Sequence, residues 1–576
     1  MTAKCYGRLL LGCITLLSAC AKNIEKVPLE LTTIDYIFDT GDSLGVNAER
    51  YLSGIYFTIP RGYNRVSSDL LDAASDDAIS SVTGSSDVFK LATGGYNASS
   101  LPESENVWSR CYAGIRKANI FINNIDQVPL NKKVTPSFPK KHAYKAEARF
   151  VRSLLYFELL KRYGGVPLIG DNVWVLGDDV KVPRNSFDAC VNYIVAECDA
   201  IKDSLRTLAQ VKATGEYHSI TRGACLALKT RVLLYAASPL FNGGNIESGN
   251  DKTGYLNEDI NRWKLASDAA KALINLNEYE LVPSLFSDIF ITVDGVNGKS
   301  NKEVILARLE GRSTALEVAN GPVGYSPGTA TGMTSPTQEL VDAFPMKNGL
   351  AIDAENSGYN ISDPYANRDP RLGMTILYNG HAWLNTSLET FEGGRSHPGN
   401  LNVETRTGYY MRKFLGPFES TNNFSDQFHD FILFRYAEVL LNFAEAQNEF
   451  SGPNDEVYQV LFDLRKRAGI EAGADGRYGI AAGMNQSQMR DAIRNERRIE
   501  LAFEEHRYWD IRRWKIAETV VNTPLHGMSI IRGSSGRLSY TRAGVFQPMF
   551  VSRQYLYPIP YDEVVKNPNM DQNPGW

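Results

Sequence analysis

The densest run of chemically capable side chains is Arg494-Asn495-Glu496-Arg497-Arg498-Ile499-Glu500-Leu501-Ala502-Phe503-Glu504-Glu505-His506-Arg507. Two carboxylates about 5 to 9.5 Å apart across a cleft could serve as acid and base on a glycosidic bond. On a helix, however, Arg497 with Glu500 and Glu504 with Arg507 stand three residues apart, the spacing of structural ion pairs, while Ile493, Ala502 and Phe503 face inward. A carboxylate beside a guanidinium has a lowered pKa and donates protons poorly. The run is expected to hold structure rather than to catalyse.

Other motifs are weaker. Gly41-Asp42-Ser43-Leu44-Gly45 has the G-x-S-x-G form of a hydrolase nucleophile elbow, which needs a buried strand before it and an alternating strand–helix pattern after it. Its polar approach, Asp39-Thr40, and the helical text downstream fit a plain turn. His142, His218, His381, His397, His429, His506 and His526 show no H-x-x-H or H-E-x-x-H spacing. Asp363, Asn367 and Asp369 do not follow a calcium-loop spacing, and Asp363-Pro364 and Asp369-Pro370 read as turns. No C-x-x-C pair or zinc-like Cys/His spacing occurs, so neither metal nor cofactor is expected. Cys111, Cys190, Cys198 and Cys225 lie in apolar helical text and are expected to be buried free thiols.

Cys20 is the one residue marked for covalent chemistry. Lys4 and Arg8 form a positive start, Leu9 to Leu17 an apolar run too short for a membrane span, and Ser18-Ala19 precede the Cys with small residues. That order points to a lipoprotein signal over residues 1–19 and to lipidation of Cys20. Several acyl chains at about 0.8 kcal/mol per buried methylene would then hold the body at a membrane through a tether over residues 20–45.

The elements that must position any site are helical. Ala146, Phe150, Leu154, Phe157 and Leu160 form one stripe at 3.6-residue spacing within Lys140 to Tyr163, closed by Gly164-Gly165. Thr221 to Ala237 is apolar almost all round and reads as a central helix. Leu433, Ala437, Leu441 and Ala444, then Val457, Leu461, Leu464 and Ala468, form two faces joined by Ser451-Gly452-Pro453-Asn454, an αα-hairpin. Pairs recur at about 104–163, 186–237 and 432–469. The fold class expected is mainly α, with tetratricopeptide-like helix pairs, a long irregular loop-rich binding region and a few short β-strands such as Val304-Ile305-Leu306-Ala307. The helical scaffold is placed mainly at 46–276 and 432–520, and the irregular region mainly at 277–431. A net charge of −5 and a pI near 5.9 argue against a nucleic-acid partner.

The chain resembles the SusD/RagB family of nutrient-binding outer-membrane lipoproteins. The strings that carry the resemblance are Trp108-x3-Tyr112-x2-Ile115-x3-Asn119, Ala146-Glu147-Ala148-Arg149-Phe150 with Arg162-Tyr163-Gly164-Gly165-Val166-Pro167-Leu168, Ala237-Ser238-Pro239-Leu240-Phe241-Asn242, Pro336-Thr337-Gln338-Glu339-Leu340-Val341-Asp342-Ala343-Phe344, Asn367-Arg368-Asp369-Pro370-Arg371-Leu372, Phe434-Arg435-Tyr436-Ala437-Glu438-Val439-Leu440-Leu441, Glu496 to Glu504, and Gln572-Asn573-Pro574-Gly575-Trp576. The resemblance makes residues 46–576 one SusD-like domain. It implies a non-enzymatic glycan-binding protein on the outer membrane, facing the exterior, that captures oligosaccharide and lids a SusC-like TonB-dependent transporter. The alternatives are a RagB-like oligopeptide-uptake protein, a lipid-anchored glycoside hydrolase and a structural assembly subunit. Ala21-Lys22-Asn23-Ile24-Glu25-Lys26 departs from the acidic stretch that often follows the lipidated Cys in surface-exposed members.

No family motif transfers to ligand contact, so candidates come from loop residues whose types suit sugars: flat rings for apolar C–H faces, and Arg or Asn for hydroxyl pairs. They are Tyr96 and Asn97 in the Gly94-Gly95 loop, Arg308 and Arg312 after the β-like run, Tyr325 beside Gly324, and Trp383. Replacing the anchor residue, Cys20→Ala, is expected to move the protein from the membrane pellet to the soluble fraction on cell fractionation; retention in the pellet would exclude the anchor.

Overall fold

A computed structural model describes residues 33–135, 138–216, 219–283, 286–291, 301–325, 330–397 and 404–576. The leader, Cys20 and the tether up to residue 32 lie outside them. Lys140–Tyr163 is a single helix with the bounds its stripe implies, and Ala146, Phe150, Leu154, Phe157 and Leu160 are all buried. Gly164 ends it at φ +73, where a Cβ would come 2.3 Å from the Lys252 carbonyl oxygen. Only glycine suits both the left-handed backbone and the contact. The central helix starts one residue late because Thr221 is its cap, the hydroxyl accepting from the Ala224 amide.

The main helices are α1 Val46–Tyr56, α2 Trp108–Asn124, α3 Lys140–Tyr163, α4 Phe187–Ile201, α5 Arg222–Ala237, α6 Asn261–Ile274, α7 Tyr436–Ser451, α8 Asp455–Ala468, α9 Gln486–Glu500 and α10 His506–Arg513. From α1 to α8 each helix packs on the next, and α9 packs on α7. Such nearest-neighbour stacking of helix pairs is the tetratricopeptide-like arrangement. The contact of α6 with α7 carries the architecture, because residues 275–435 lie between them in the chain. The irregular stretch is therefore an insertion in a stack that is continuous in space.

Short antiparallel pairs pin the insertion down. The strands are β1 Ala78–Ser80, β2 Val304–Arg308, β3 Thr334–Pro336, β4 Phe431–Arg435, β5 Leu525–Arg532 and β6 Leu538–Phe546. β1 pairs with β3, β2 with β4 in the register Phe431 to Arg308, and β5 with β6 in a hairpin. Leu433, expected on a helical face, lies in β4, and α7 begins only at Tyr436. Phe431-Ile432-Leu433-Phe434 is a continuous apolar run buried on both faces, which a central strand accepts and the edge of an amphipathic helix does not. Asp369-Pro370 is also a correction. Instead of a turn it opens the helix Pro370–Thr375, with the Asp369 carboxylate capping the Arg371 amide at 2.8 Å and proline in the first turn. The Gly41 to Gly45 run is a turn in which Asp42 accepts from the Leu44 and Gly45 amides, and no strand precedes it among the described residues. Cys111, Cys190, Cys198 and Cys225 are free and buried.

The charged run of the C-terminal half forms ion pairs, but not within its own helix. Glu500 takes Arg371 (2.9 Å), Arg435 (2.7 Å) and Arg467, and Glu496 takes Arg371 (2.7 Å) and Arg465 (2.9 Å). Glu504 meets Arg435 and Lys413, each at 2.7 Å, while Arg497 turns to Asp510 and Arg507 to Asp76. The expected pairs within the run are not made, because these side chains are buried against other elements and find partners there. Phe503 and Glu505 both have φ +62, a left-handed turn that sends Glu504 inward to Arg435 and Glu505 out to Arg65.

A buried charge left unpaired costs far more than the pair contributes. Arg435→Met, which takes one of the cations from each of the buried Glu303, Glu500 and Glu504, is expected to lower the free energy of unfolding in urea by about 3 to 5 kcal/mol; a loss under 1 kcal/mol would remove the network from its structural role. Acid should act on similar pairs. Burial alone would raise the carboxyls of Glu105, Glu158 and Glu445, yet the Arg and Lys beside them outweigh it and hold each at about 2 against the usual 4.5. Their contribution is complete above pH 4.5 and drains as pH falls from there toward 2, so the urea midpoint should drop over that window. A flat midpoint from pH 5 to 3 would contradict it.

Candidate functional site

A recess of about 380 Å³ opens where the end of α1 meets the start of α3 and the end of β2. Its floor is polar but satisfied. The Tyr56 hydroxyl donates to Glu147 (2.9 Å), the Tyr144 hydroxyl to Glu49 (2.7 Å), and the Lys140 ammonium to Glu216 (2.6 Å). Burial raises the Glu147 carboxyl, against the pull of Arg206 at 2.5 Å. Leu52 and Ile59 make an apolar wall. At the rim Phe57 is 74% exposed and Leu309 44% exposed, an uncovered ring and an aliphatic side chain beside donors and acceptors. The volume and mixed lining suit one or two rings that carry both apolar faces and hydroxyls.

Arg308 belongs to this recess: it donates to the Ile59 carbonyl and pairs with Glu310 at 3.0 Å. The other candidates are dispersed. Tyr325 is half-buried, its hydroxyl donating to the Ser387 carbonyl (3.1 Å) and accepting from the Glu389 amide (2.9 Å), with the exposed Arg395 guanidinium 5.0 Å above its ring. Arg312 is exposed, donates to the Asp426 carbonyl at 2.8 Å and covers the Phe428 ring. Asn97 is exposed, but its side chain closes its own loop by accepting from the Ser99 amide at 2.9 Å. Tyr96 is a correction: it is 4% exposed, stacked 5.2 Å from Trp576 and edge-on to Tyr557. Trp383 is another, fully buried between Phe418 and Phe424. In a loop-rich region with little aliphatic mass, the largest rings are what is left to form a core, so they turn inward.

Phe57, Arg61 and Arg110 were not among the candidates, although all three are exposed around the recess and the adjoining cleft. The available signal for Phe57 was a second aromatic directly after Tyr56, which a helix can bury only once. The carboxylates Glu496, Glu500 and Glu504 are buried, and despite burial the flanking cations hold them below the usual carboxylate range. They carry no proton at neutral pH; Glu496 and Glu500 reach no surface, and Glu504, 8% exposed at the adjoining cleft, is held there by Arg435 and Lys413. Among the described residues no group of three or more His, Cys, Asp or Glu could hold a metal, and no helix is long and apolar enough to cross a membrane.

A rigid helical stack that carries loops and an open, mixed recess defines a ligand-binding protein. Comparison with known proteins agrees. Residues 302–576 match the family described as the SusD family, and residues 46–234 match a model described as starch-binding, associating with the outer membrane. SusD-like protein P2 of Formosa agariphila is 24% identical over 81% of this chain and 80% of its own length. Among solved structures, a SusD-like protein of Bacteroides fragilis is 25% identical, with a TM-score of 0.76 over 95% of this chain and all of that one. A second from the same species, described as a SusD-like carbohydrate-binding protein, is 23% identical with a TM-score of 0.73 over 92% of this chain and 99% of that one. The chain belongs to the SusD/RagB family, whose members include carbohydrate-binding proteins associated with the outer membrane.

Proposed function

We propose that this protein is a lipid-anchored, surface-facing glycan-binding protein that captures oligosaccharide and delivers it, as a lid, to a SusC-like TonB-dependent transporter. The observation that carries the reading is the recess at the end of α1. An uncovered Phe57 ring there stands beside tyrosine hydroxyls, Lys140 and Arg308, the groups that sugars need for stacking and for hydroxyl pairs. Tyr325 with Arg395 offers a second ring and guanidinium on the loop surface. The family match and the leader ending at Cys20 support the membrane placement. Binding is the proposed role and hydrolysis is not, since the densest carboxylates are locked in arginine pairs.

Calorimetric titration against neutral, acidic and host-type oligosaccharides and a peptide panel is the test. At least one carbohydrate should bind, and Phe57→Ala should weaken it about two- to tenfold, the worth of one stacked ring. Incubation with the same polysaccharide should release no reducing ends, and a β-barrel transporter should co-purify from membranes. Peptide binding with every carbohydrate inert would replace this reading by oligopeptide uptake, and reducing-end release would replace it by hydrolysis.

A further inference from the structure

The rim of the recess carries an imbalance of charge. Arg61 and Arg308 share a single carboxylate, Glu310, at 3.2 and 3.0 Å on the same oxygen. Arg312, two residues further on, donates to a backbone carbonyl rather than to an acid. Arg110 projects from α2 into the cleft that Arg61 also lines, is exposed, and has no ion-pair partner among the described residues. Asp430 approaches from the buried side, its carboxylate accepting from the Glu310 amide at 2.7 Å. The deeper cations of that cleft are answered one by one: Arg65 by Glu105 and Glu505, Lys161 by Glu158, and Arg231 by Glu438. Where the cleft meets the recess, Arg61, Arg110 and Arg308 face one outward glutamate, Glu310, while the acids of the recess itself are engaged, Glu49 by Lys132, Glu147 by Arg206 and Glu216 by Lys140 and Arg206.

Such an arrangement is costly without a partner. The Arg308 guanidinium is pushed below its ordinary value by burial, which Arg61 and Arg110 reinforce and Glu310 opposes. The Arg61 side chain is 65% exposed. Planar guanidinium groups bind carboxylate or sulfate oxygens in bidentate fashion, and an adjoining ring accepts the apolar face of the sugar that bears the acid. Phe57 and Leu309 supply that adjoining apolar surface, since they line the recess that Arg308 also lines.

We infer that the ligand is an acidic carbohydrate, and that Arg61 and Arg110, with Arg308 behind them, take its carboxylate or sulfate group where the cleft meets the α1–β2 recess. This rests on the glycan-binding reading and narrows its substrate class. It is tested on the full chain purified in detergent, titrated with galacturonate oligosaccharides, with sulfated galactan oligosaccharides and with neutral maltooligosaccharides and laminarioligosaccharides.

At least one acidic series should bind, with an affinity that falls as NaCl rises from 0.05 to 0.5 M as screening demands, about tenfold or more. The variant Arg61→Ala/Arg110→Ala should lose about tenfold or more in affinity, the range of a charge-assisted hydrogen bond. Both residues are exposed, so the fold is expected to survive, and an unchanged urea midpoint verifies it. Carboxylate and sulfate arms separate the two sources of charge, and inorganic sulfate should compete with the bound series. Neutral oligosaccharides that bind while every acidic one fails would overturn the inference and leave glycan binding intact. Acidic binding unchanged in the double variant would overturn the assignment to this mouth. No carbohydrate binding at all would overturn both.

Discussion

The need to neutralise buried charge binds this molecule together more than any single hydrophobic contact. Arg371 sits in the inserted region, Arg435 at the junction of β4 and α7, and Arg467 on α8, and all three meet at Glu500 at the end of α9. Their side chains are almost wholly buried, and three such cations are tolerated there only because carboxylates answer them. Glu496, Glu303, Glu504 and Lys413 extend the same network. Elements far apart in the chain are thereby held at hydrogen-bond distance, and the insertion is fixed to its scaffold. Strings that look independent in the sequence, at 367–372, 434–441 and 496–504, are partners in one electrostatic knot.

That knot explains how a loop-rich region can present a binding surface. Helices α1 to α8 form a continuous stack in space, so the stretch between α6 and α7 returns to where it left. Its long loops are then positioned by strand pairs at their bases and by buried ion pairs beneath, with the connecting text free to carry polar and aromatic side chains outward. The chain's end serves the same purpose. Asn573 donates to the Tyr163 and Tyr557 carbonyls and Trp576 stacks on Tyr96, closing the C-terminus over the end of α3.

Much of the scaffold was legible because helical periodicity is a local property. The bounds of α3, the end of α5 at Ala237 and the α7–α8 hairpin all follow from residues within a turn or two of each other. Errors arose where the deciding partner was distant. Leu433 fits a helical stripe with Ala437, yet β2, more than a hundred residues upstream, pairs with its neighbours Ile432 and Phe434 and holds the run as strand. Arg497 and Glu500 have helical pairing distance, yet Asp510 and Arg371 claim them. The β5–β6 hairpin went unforeseen because β6 has no buried face: Ser539, Thr541, Arg542 and Gly544 leave it without an apolar alternation.

The binding surface shows the same division. Composition and loop character alone pointed to kinds of side chain suited to sugars, and of the residues so chosen Arg308 lies on the recess. Tyr96 and Trp383 were chosen for the same reasons and turned inward, because a ring's burial depends on what else can fill the space around it. The sequence by itself determined the helical stack, the buried thiols and the family, since these rest on local spacing and on strings read in order. Only the tertiary structure decided which aromatic rings face solvent, which carboxylate answers which arginine, and that Arg61, Arg110 and Arg308 gather at one rim. Burial and charge compensation are set by neighbours in space, and the distance between two residues along a chain carries almost no information about them.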